Sequence, residues 1–393
     1  MKILIAPDKF KGSLSAREVA QNIATGLREV LPEAKIDIVP MADGGEGTAE
    51  VIYDALEGSW VTCQARDPLG REIDCRYACI ENEKLAVMEM SEAAGMRRVQ
   101  PNERDVDLAS TFGVGEMLLE TTRHGAREII IGLGGSATND GGFGMARALG
   151  FRFFEEHEQE KELKGKVSEL VKLERIVSPR KVVGAFVSNA QLKARRSPGR
   201  APLQLVLPEI LAAADVKNPL LGENGATRVF GPQKGATEDK IDILERALTR
   251  LADVVAKGLG VNYRDEPGAG AAGGLGFGLM SFCGAKIRPG FDVVAEAVEL
   301  KEKMKDIDLV ITGEGSLDRQ TLEGKTPAGV ARLARKLGKR VFAIVGRATE
   351  DREARELFDG VYELAQAGMS EQENMARAAE LLREKARELA EDL

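Results

Sequence analysis

The chain has 393 residues, room for two or three domains at roughly 150 residues each. Its 43% hydrophobic and 30% charged residues are a globular balance rather than a disordered one, and its 43 glycines, about 11% against a usual ~7%, are in excess. A net charge of −8 and a pI near 5.3 exclude the basic footprint of a general nucleic-acid or anionic-membrane binder.

Residues 2–6 (KILIA) read as a short strand, followed by the loop PDKFKGS. Val19, Ala20, Ile23, Leu27 and Leu31 then recur at helical spacing, with Ser13 or Ser15 as N-cap and Pro32 past the end. KIDIVPM is a second strand, ADGGEGT a second polar loop and AEVIYDALEG a second helix, which is the rhythm of a parallel α/β sheet. From Trp60 to Tyr77 strand-like pieces are broken by DPLGRE, while KLAVMEMSEAAG and REIIIGLGGSATNDGG each run from a strand into a loop. Between about 151 and 200 the chain is charged and irregular, and SNAQLKARRSPGRAP reads as an exposed loop. The rhythm returns with DIDLVIT (306–312), the loop GEGSLDRQTLEGKTP, the helix AGVARLARKLG, the strand KRVFAIVG (339–346), a charged helix and GVYELA. From Ser370 to Leu393 the pattern predicts one amphipathic helix with Ala378, Leu381, Leu382, Ala386 and Leu389 on its apolar stripe. The expected fold is α/β with two α/β domains. A Rossmann-like parallel-sheet domain is built from both chain ends (1–60 plus 286–393), and a second α/β domain (61–285) is inserted in it.

With only His124 and His157, an HExxH zinc site and any three-histidine site are excluded, so acid–base chemistry falls more naturally to Asp, Glu or Lys. Cys63, Cys75, Cys79 and Cys283 form no CxxC pair and suit buried thiols of a reduced cytosolic protein. The amino end is charged too early for a signal peptide. The uncharged stretch 267–285 has seven glycines in nineteen residues, too poor in hydrophobicity and helix propensity to span a membrane, and reads as a buried or ligand-facing segment. A soluble, cytoplasmic protein is expected.

Several loops set glycines beside acids, hydroxyls and amides directly after a strand, and the ends of parallel strands converge at one sheet edge. Lys9 and Lys11, with Gly12 and Ser13 opening a helix, make an anion site or else two solvated lysines. Asp43 and Glu46 stand around Gly44, Gly45 and Gly47, where acids hold Mg²⁺ or accept a proton, although Asp-Gly-Gly also occurs in plain turns. The loop 132–144 frames Ser136, Thr138, Asn139 and Asp140 between glycine pairs, a set suited to polyphosphate or a polyhydroxy acid. In 312–327, Glu314, Asp318, Gln320, Thr321 and Lys325 fit a metal–phosphate site. Gln233 and Lys234 lie in a Pro/Gly-shaped turn, facing ligand or solvent. Gly324-Lys325-Thr326 is not a Walker A end, because Arg319 occupies the place of its first glycine. Gly268, Gly270 and Gly273 match G-x-G-x-x-G without a preceding strand. Convergent lysines, acids, hydroxyls and glycines with almost no histidine fit phosphoryl transfer by positioning and charge neutralisation.

PDKFKGS, ADGGEGT, DPLGR, GLGGSATNDGG, NPLLG with FGPQKGAT, GAGAAGGLGFG and DLVITGEGSLD run in the order of bacterial glycerate kinases of the glycerate kinase I family. The chain resembles that family, glycerate 2-kinase type, over nearly its whole length. The resemblance implies ATP-dependent phosphorylation of D-glycerate with Mg²⁺ by a two-domain α/β fold with its site in the interdomain cleft. The product would be 2-phosphoglycerate, though the family has also carried the 3-phosphoglycerate label. The sequence departs from the family between about 151 and 214, and ADVKNPL stands where CDVDNPL is usual, with Ala214 and Lys217. In the roles expected, Asp43, Lys9 and Asp318 are catalytic, and Glu314 with Asp318 holds the metal. Lys11, Ser13, Gly44, Gly45, Ser136, Thr138, Asn139 and Asp140 bind the acid. Gly313, Gly315, Gln233, Lys234 and Lys325 bind ATP. The partners expected are small molecules, with a homo-oligomer open. A kinase for another small hydroxy acid or sugar acid is the nearest alternative, and a nicotinamide-dependent hydroxy-acid dehydrogenase the next. A regulator would need a DNA-binding module that is not seen, and the basic run Lys193, Arg195, Arg196 and Arg200 lacks aromatics.

Overall fold

The computed structural model describes residues 1–82, 84–155, 161–179, 207–319, 321, 325–349, 351–366 and 368–393. His157, Gln320 and the basic run at 193–200 lie outside them. The chain divides into two compact units, one formed by Met1–Leu56 with Pro289–Leu393 and the other by Glu57–Arg288. Both are α/β, as the alternation of apolar runs and polar loops predicts.

In the first unit five strands form one sheet in the order Gly360–Glu363, Arg340–Val345, Leu309–Thr312, Lys2–Ile5, Lys35–Ile38. Every pairing is parallel, with Ile3 opposite Leu309 and Ile36, and Val310 opposite Val341. The central strands are wholly buried apart from Lys2 and Arg340, so they read as continuous apolar runs rather than alternating ones. Helix Ala16–Val30 begins at Ser15, whose hydroxyl caps the Glu18 amide while the Glu18 carboxylate returns to the Ser15 amide. It packs with the carboxy-terminal helix Ala378–Glu391 over the sheet, burying Val19, Ile23 and Leu27 with Leu381, Leu382 and Leu389. The predicted single tail helix is in fact two, Glu371–Ala376 and Ala378–Glu391, broken at Arg377. The short one has its own Ser370–Glu373 capping box, a local start signal that competes with continuation.

The second unit has a mixed six-stranded sheet in the order Lys286–Arg288, Glu209–Ala213, Glu128–Gly132, Leu85–Glu89, Glu72–Ile80, Ser59–Arg66. The first three pairings are parallel and the last two antiparallel. Helix Glu238–Leu259, with Glu238 and Asp239 in its first turn and Gly260 at its end, buries Leu244, Leu248, Leu251 and Val255 in this unit's core. The region predicted to be irregular after 151 instead holds an antiparallel pair, Arg152–Glu155 with Leu173–Val177. Phe153 and Phe154 are both buried there, and Phe153 meets Phe143 edge to face with centroids 4.8 Å apart. The glycine-rich segment is buried as predicted, yet it is helical over Ala271–Cys283 with left-handed backbone at Ala272, Gly273 and Gly274. Among the described residues no helix is long and apolar enough to cross a membrane. His124 is exposed on Glu120 at a helix end, and all four cysteines are free thiols, with Cys63 and Cys75 buried.

Candidate functional site

Chain order and strand order in the first unit part company at Lys2–Ile5. The chain leaves it for Lys35–Ile38 on one side, while Leu309–Thr312 pairs on the other. Loops that leave two such neighbouring strands diverge and open a crevice at their carboxyl ends. A cavity of about 600 Å³ lies there, lined by both loops and by the turn after Arg340–Val345. Its charged lining comprises Lys9, Lys11, Lys325 and Arg347 with Asp8, Asp43, Glu314 and Glu371; Phe10, Leu364, Met375 and Ala378 form an apolar wall.

Asp8, first acid after the strand, is buried and fixed at both oxygens. It accepts from the Lys9 amide at 2.7 Å and from the Thr326 hydroxyl at 2.6 Å. Burial, and then the charge of Asp43, pushes its carboxyl up to about 6. Glu314 is likewise buried, accepts from the Thr321 hydroxyl at 2.6 Å, and is pushed up to about 7, chiefly by burial. Asp43 is half-buried and accepts from the Gly45 amide at 3.0 Å. The helix Gly290–Ala297 lies so close to this turn that a Cβ at Gly290 would overlap the Asp43 carbonyl oxygen, so only glycine fits. The Lys9 ammonium donates to the Glu46 carbonyl, which ties the first loop to the second.

The structure therefore brings together Lys9, Lys11, Ser13, Asp43, Glu314, Gly315 and Lys325 of the predicted set. Gly313 lies beneath them, its carbonyl accepting from the Asp8 amide at 2.8 Å, and Gly44 holds φ +87° in the Asp43 turn. One expectation needs correction. Ser13 does not open the helix, which Ser15 caps; its hydroxyl donates to the Met375 carbonyl at 2.9 Å. Asp318 is outside the cavity lining, yet its charge acts on Glu314; its amide donates to the Thr321 hydroxyl at 3.1 Å and its carboxylate stands 3.9 Å from the Lys325 ammonium. Asp8, Thr326 and Arg347 were missed, although a rule that the first polar residue after a central strand is a candidate would have found Asp8.

Ser136, Thr138, Asn139, Asp140, Gln233 and Lys234 belong to the second unit. Asp140 has both carboxylate oxygens engaged within its own unit. Wholly buried, it takes up the Thr111 amide and hydroxyl and the amides of Gly142 and Gly144, all at 2.8–3.0 Å. Gln233 is exposed, whereas Lys234 is buried and donates at 2.7 Å to both the Ser136 hydroxyl and the Thr138 carbonyl. Asn139 donates to the Thr227 hydroxyl at 2.9 Å. The glycine-rich helix supports this loop from behind: a Cβ at Gly273, already at φ +69°, would overlap the Thr138 carbonyl.

Residues 3–393 match the model of the glycerate kinase family. A glycerate kinase of Halalkalibacterium halodurans is 41% identical over 99% of this chain and 97% of its own. The glycerate 2-kinase of Escherichia coli K12 is 42% identical over 89% and 86%. A crystal structure named for glycerate kinase 2 of Salmonella typhimurium LT2 superposes with a TM-score of 0.82 at 40% identity, covering 100% of this chain and 98% of the other. The chain is thus an α/β enzyme of the kinase class. It belongs to the glycerate kinase family.

Proposed function

We propose that the chain transfers the γ-phosphoryl group of ATP to a hydroxyl of D-glycerate, giving 2-phosphoglycerate in preference to 3-phosphoglycerate. The observation that carries this reading is the cavity at the first unit's switch point, where four cationic side chains meet four carboxylates. Phosphoryl transfer asks for little beyond position and neutralised charge. Lys9, Lys11, Lys325 and Arg347 supply the neutralising charge for phosphate and substrate carboxylate. Lys325 also precedes helix Thr326–Lys336, whose first amides favour an anion. Asp43 is the group we assign to take the proton from the attacking hydroxyl, being partly exposed and, among the described residues, held at one oxygen by the Gly45 amide.

Among the described residues no three of His, Cys, Asp and Glu gather as a metal cage. Mg²⁺ usually needs only one or two carboxylates beside phosphate oxygens and waters, and Asp8, Asp43 and Glu314 supply donors of that kind in one cavity. Burial is what chiefly pushes Asp8 and Glu314 up, with neighbouring carboxylates adding less, and a cation bound there would stabilise their ionised forms. Bound there, the ion would shield the β- and γ-phosphates and draw charge off the leaving group.

The test is an assay of ADP release with D-glycerate, against a panel of other hydroxy acids and sugar acids, with phosphorus NMR of the product. We expect turnover with D-glycerate that chelation of divalent metal abolishes, and a phosphorus signal coupled to the single proton of the 2-carbon. Turnover of another acid in its place transfers the assignment to that acid, and NADH formation overturns the kinase reading.

A further inference from the structure

The second unit holds a cation that the mechanism above leaves unused. Lys234 is only 3% exposed, and among the described residues it has no carboxylate partner. The one charge that acts on it is Asp140, whose oxygens are already taken by Thr111, Gly142 and Gly144. The residue whose carbonyl Lys234 binds and the one after it carry two wholly buried polar atoms without a hydrogen bond among the described residues, Thr138 Oγ1 and Asn139 Oδ1. Arg104, whose backbone carbonyl lies against Gly235 just after Lys234, has a buried Nε that also lacks a partner among the described residues. Buried polar groups are nearly always satisfied, so such a concentration of unmet donors and acceptors, beside a lysine that has hydrogen bonds but no carboxylate partner, is a place for a polar ligand to complete.

We propose that Lys234, Ser136, Thr138 and Asn139 form an oxyanion site that takes a carboxylate or phosphate group carrying a nearby hydroxyl. The ammonium meets the anion, and Asn139 Oδ1, an acceptor only, meets the ligand hydroxyl. Thr138 Oγ1 donates to a ligand oxygen. Ser136, 8% exposed, and Lys234 hold what surface the cluster presents. Burial brings the empty site's lysine down to about 7, so an arriving anion restores its proton. The site stands on this unit's own geometry; only D-glycerate as a probe rests on the function proposed above.

Titration calorimetry on the full chain tests it, with D-glycerate, inorganic phosphate and ADP as separate probes, in the native protein and in Lys234→Met and Thr138→Val. If the anion is a carboxylate, the variants bind D-glycerate about ten- to a hundredfold more weakly and ADP unchanged. If it is a phosphate, ADP and inorganic phosphate weaken and D-glycerate does not. Thr138→Val removes a hydroxyl that has no partner, so it leaves thermal stability equal or raised while weakening the same probe. Native binding at pH 8, measured in two buffers of different ionisation enthalpy, shows proton uptake and keeps the site testable should Lys234→Met not fold. Unaltered affinity for all three probes in folded variants, or binding without proton uptake, overturns the site. A native protein that binds phosphate through this cluster but does not turn over D-glycerate overturns the proposed function and spares the site.

Discussion

Replacing Asp8 by Asn should make the first unit more stable and the enzyme nearly inactive. In the fold the Asp8 carboxyl is raised from 3.8 to about 6, mostly by burial and next by Asp43. Below pH 4 both folded and unfolded chains carry the proton, and charge contributes nothing. Between pH 4 and 6 the folded state binds more protons than the unfolded one, so stability falls as pH rises. Above pH 6 the full difference, roughly 3 kcal/mol at 1.36 kcal/mol per pH unit, is a standing cost. Asn removes it and can keep both hydrogen bonds, because the Thr326 hydroxyl can turn to accept instead of donate. Native-state hydrogen exchange of the Lys2–Ile5 amides reads this unit directly, since Trp60 lies in the other. The variant's amides should exchange roughly a hundredfold more slowly than the native ones at pH 8 and at the same rate at pH 4. Turnover should fall by roughly a hundredfold or more, as when a preorganised electrostatic group is lost from an active site. A variant that is less stable at pH 8, or one that keeps its activity, refutes the reasoning.

Gly290→Ala forces the helix away from the Asp43 carbonyl, so turnover should fall while the second unit's tryptophan-reported unfolding stays at its native midpoint. The acid limb of the kcat/KM profile, which reports the enzyme before metal and substrate bind, should lie near pH 7, to which burial raises the Glu314 carboxyl, and Glu314→Gln should flatten that limb; a limb unmoved by the substitution assigns it elsewhere.

The sheet of the first unit was legible because its strands are short apolar runs, each punctuated by a polar glycine loop, and parallel strands put those loops on one edge. Lys9, Lys11, Asp43 and Glu314 followed from that rule alone. Asp8 and Arg347 were passed over because neither stands inside a glycine frame. The pattern at 132–144 marked the right loop but not each residue's part in it: the four donors that claim Asp140 include Thr111, which is remote in sequence. Nor does glycine spacing say that Gly273 is matched to Thr138, or Gly290 to Asp43, since each clash is with backbone brought in by the tertiary fold. After residue 151, the many charged residues hid the short strand pair that buries Phe153, Phe154 and Ile176. At the tail a continuous apolar stripe outweighed the Ser370 start signal.

The strand Lys2–Ile5 sits between partners at 35–38 and 309–312, and helix Ala16–Val30 rests on Ala378–Glu391. On a ribosome adding 5–20 residues each second, the first strand waits on the order of 15–60 s for its second neighbour. Glu57–Arg288, whose sheet closes within itself, emerges whole during that delay. The nascent amino end, with Ile3, Leu4 and Ile5 still uncovered, is therefore the stretch most exposed to chaperones and to mispairing during synthesis.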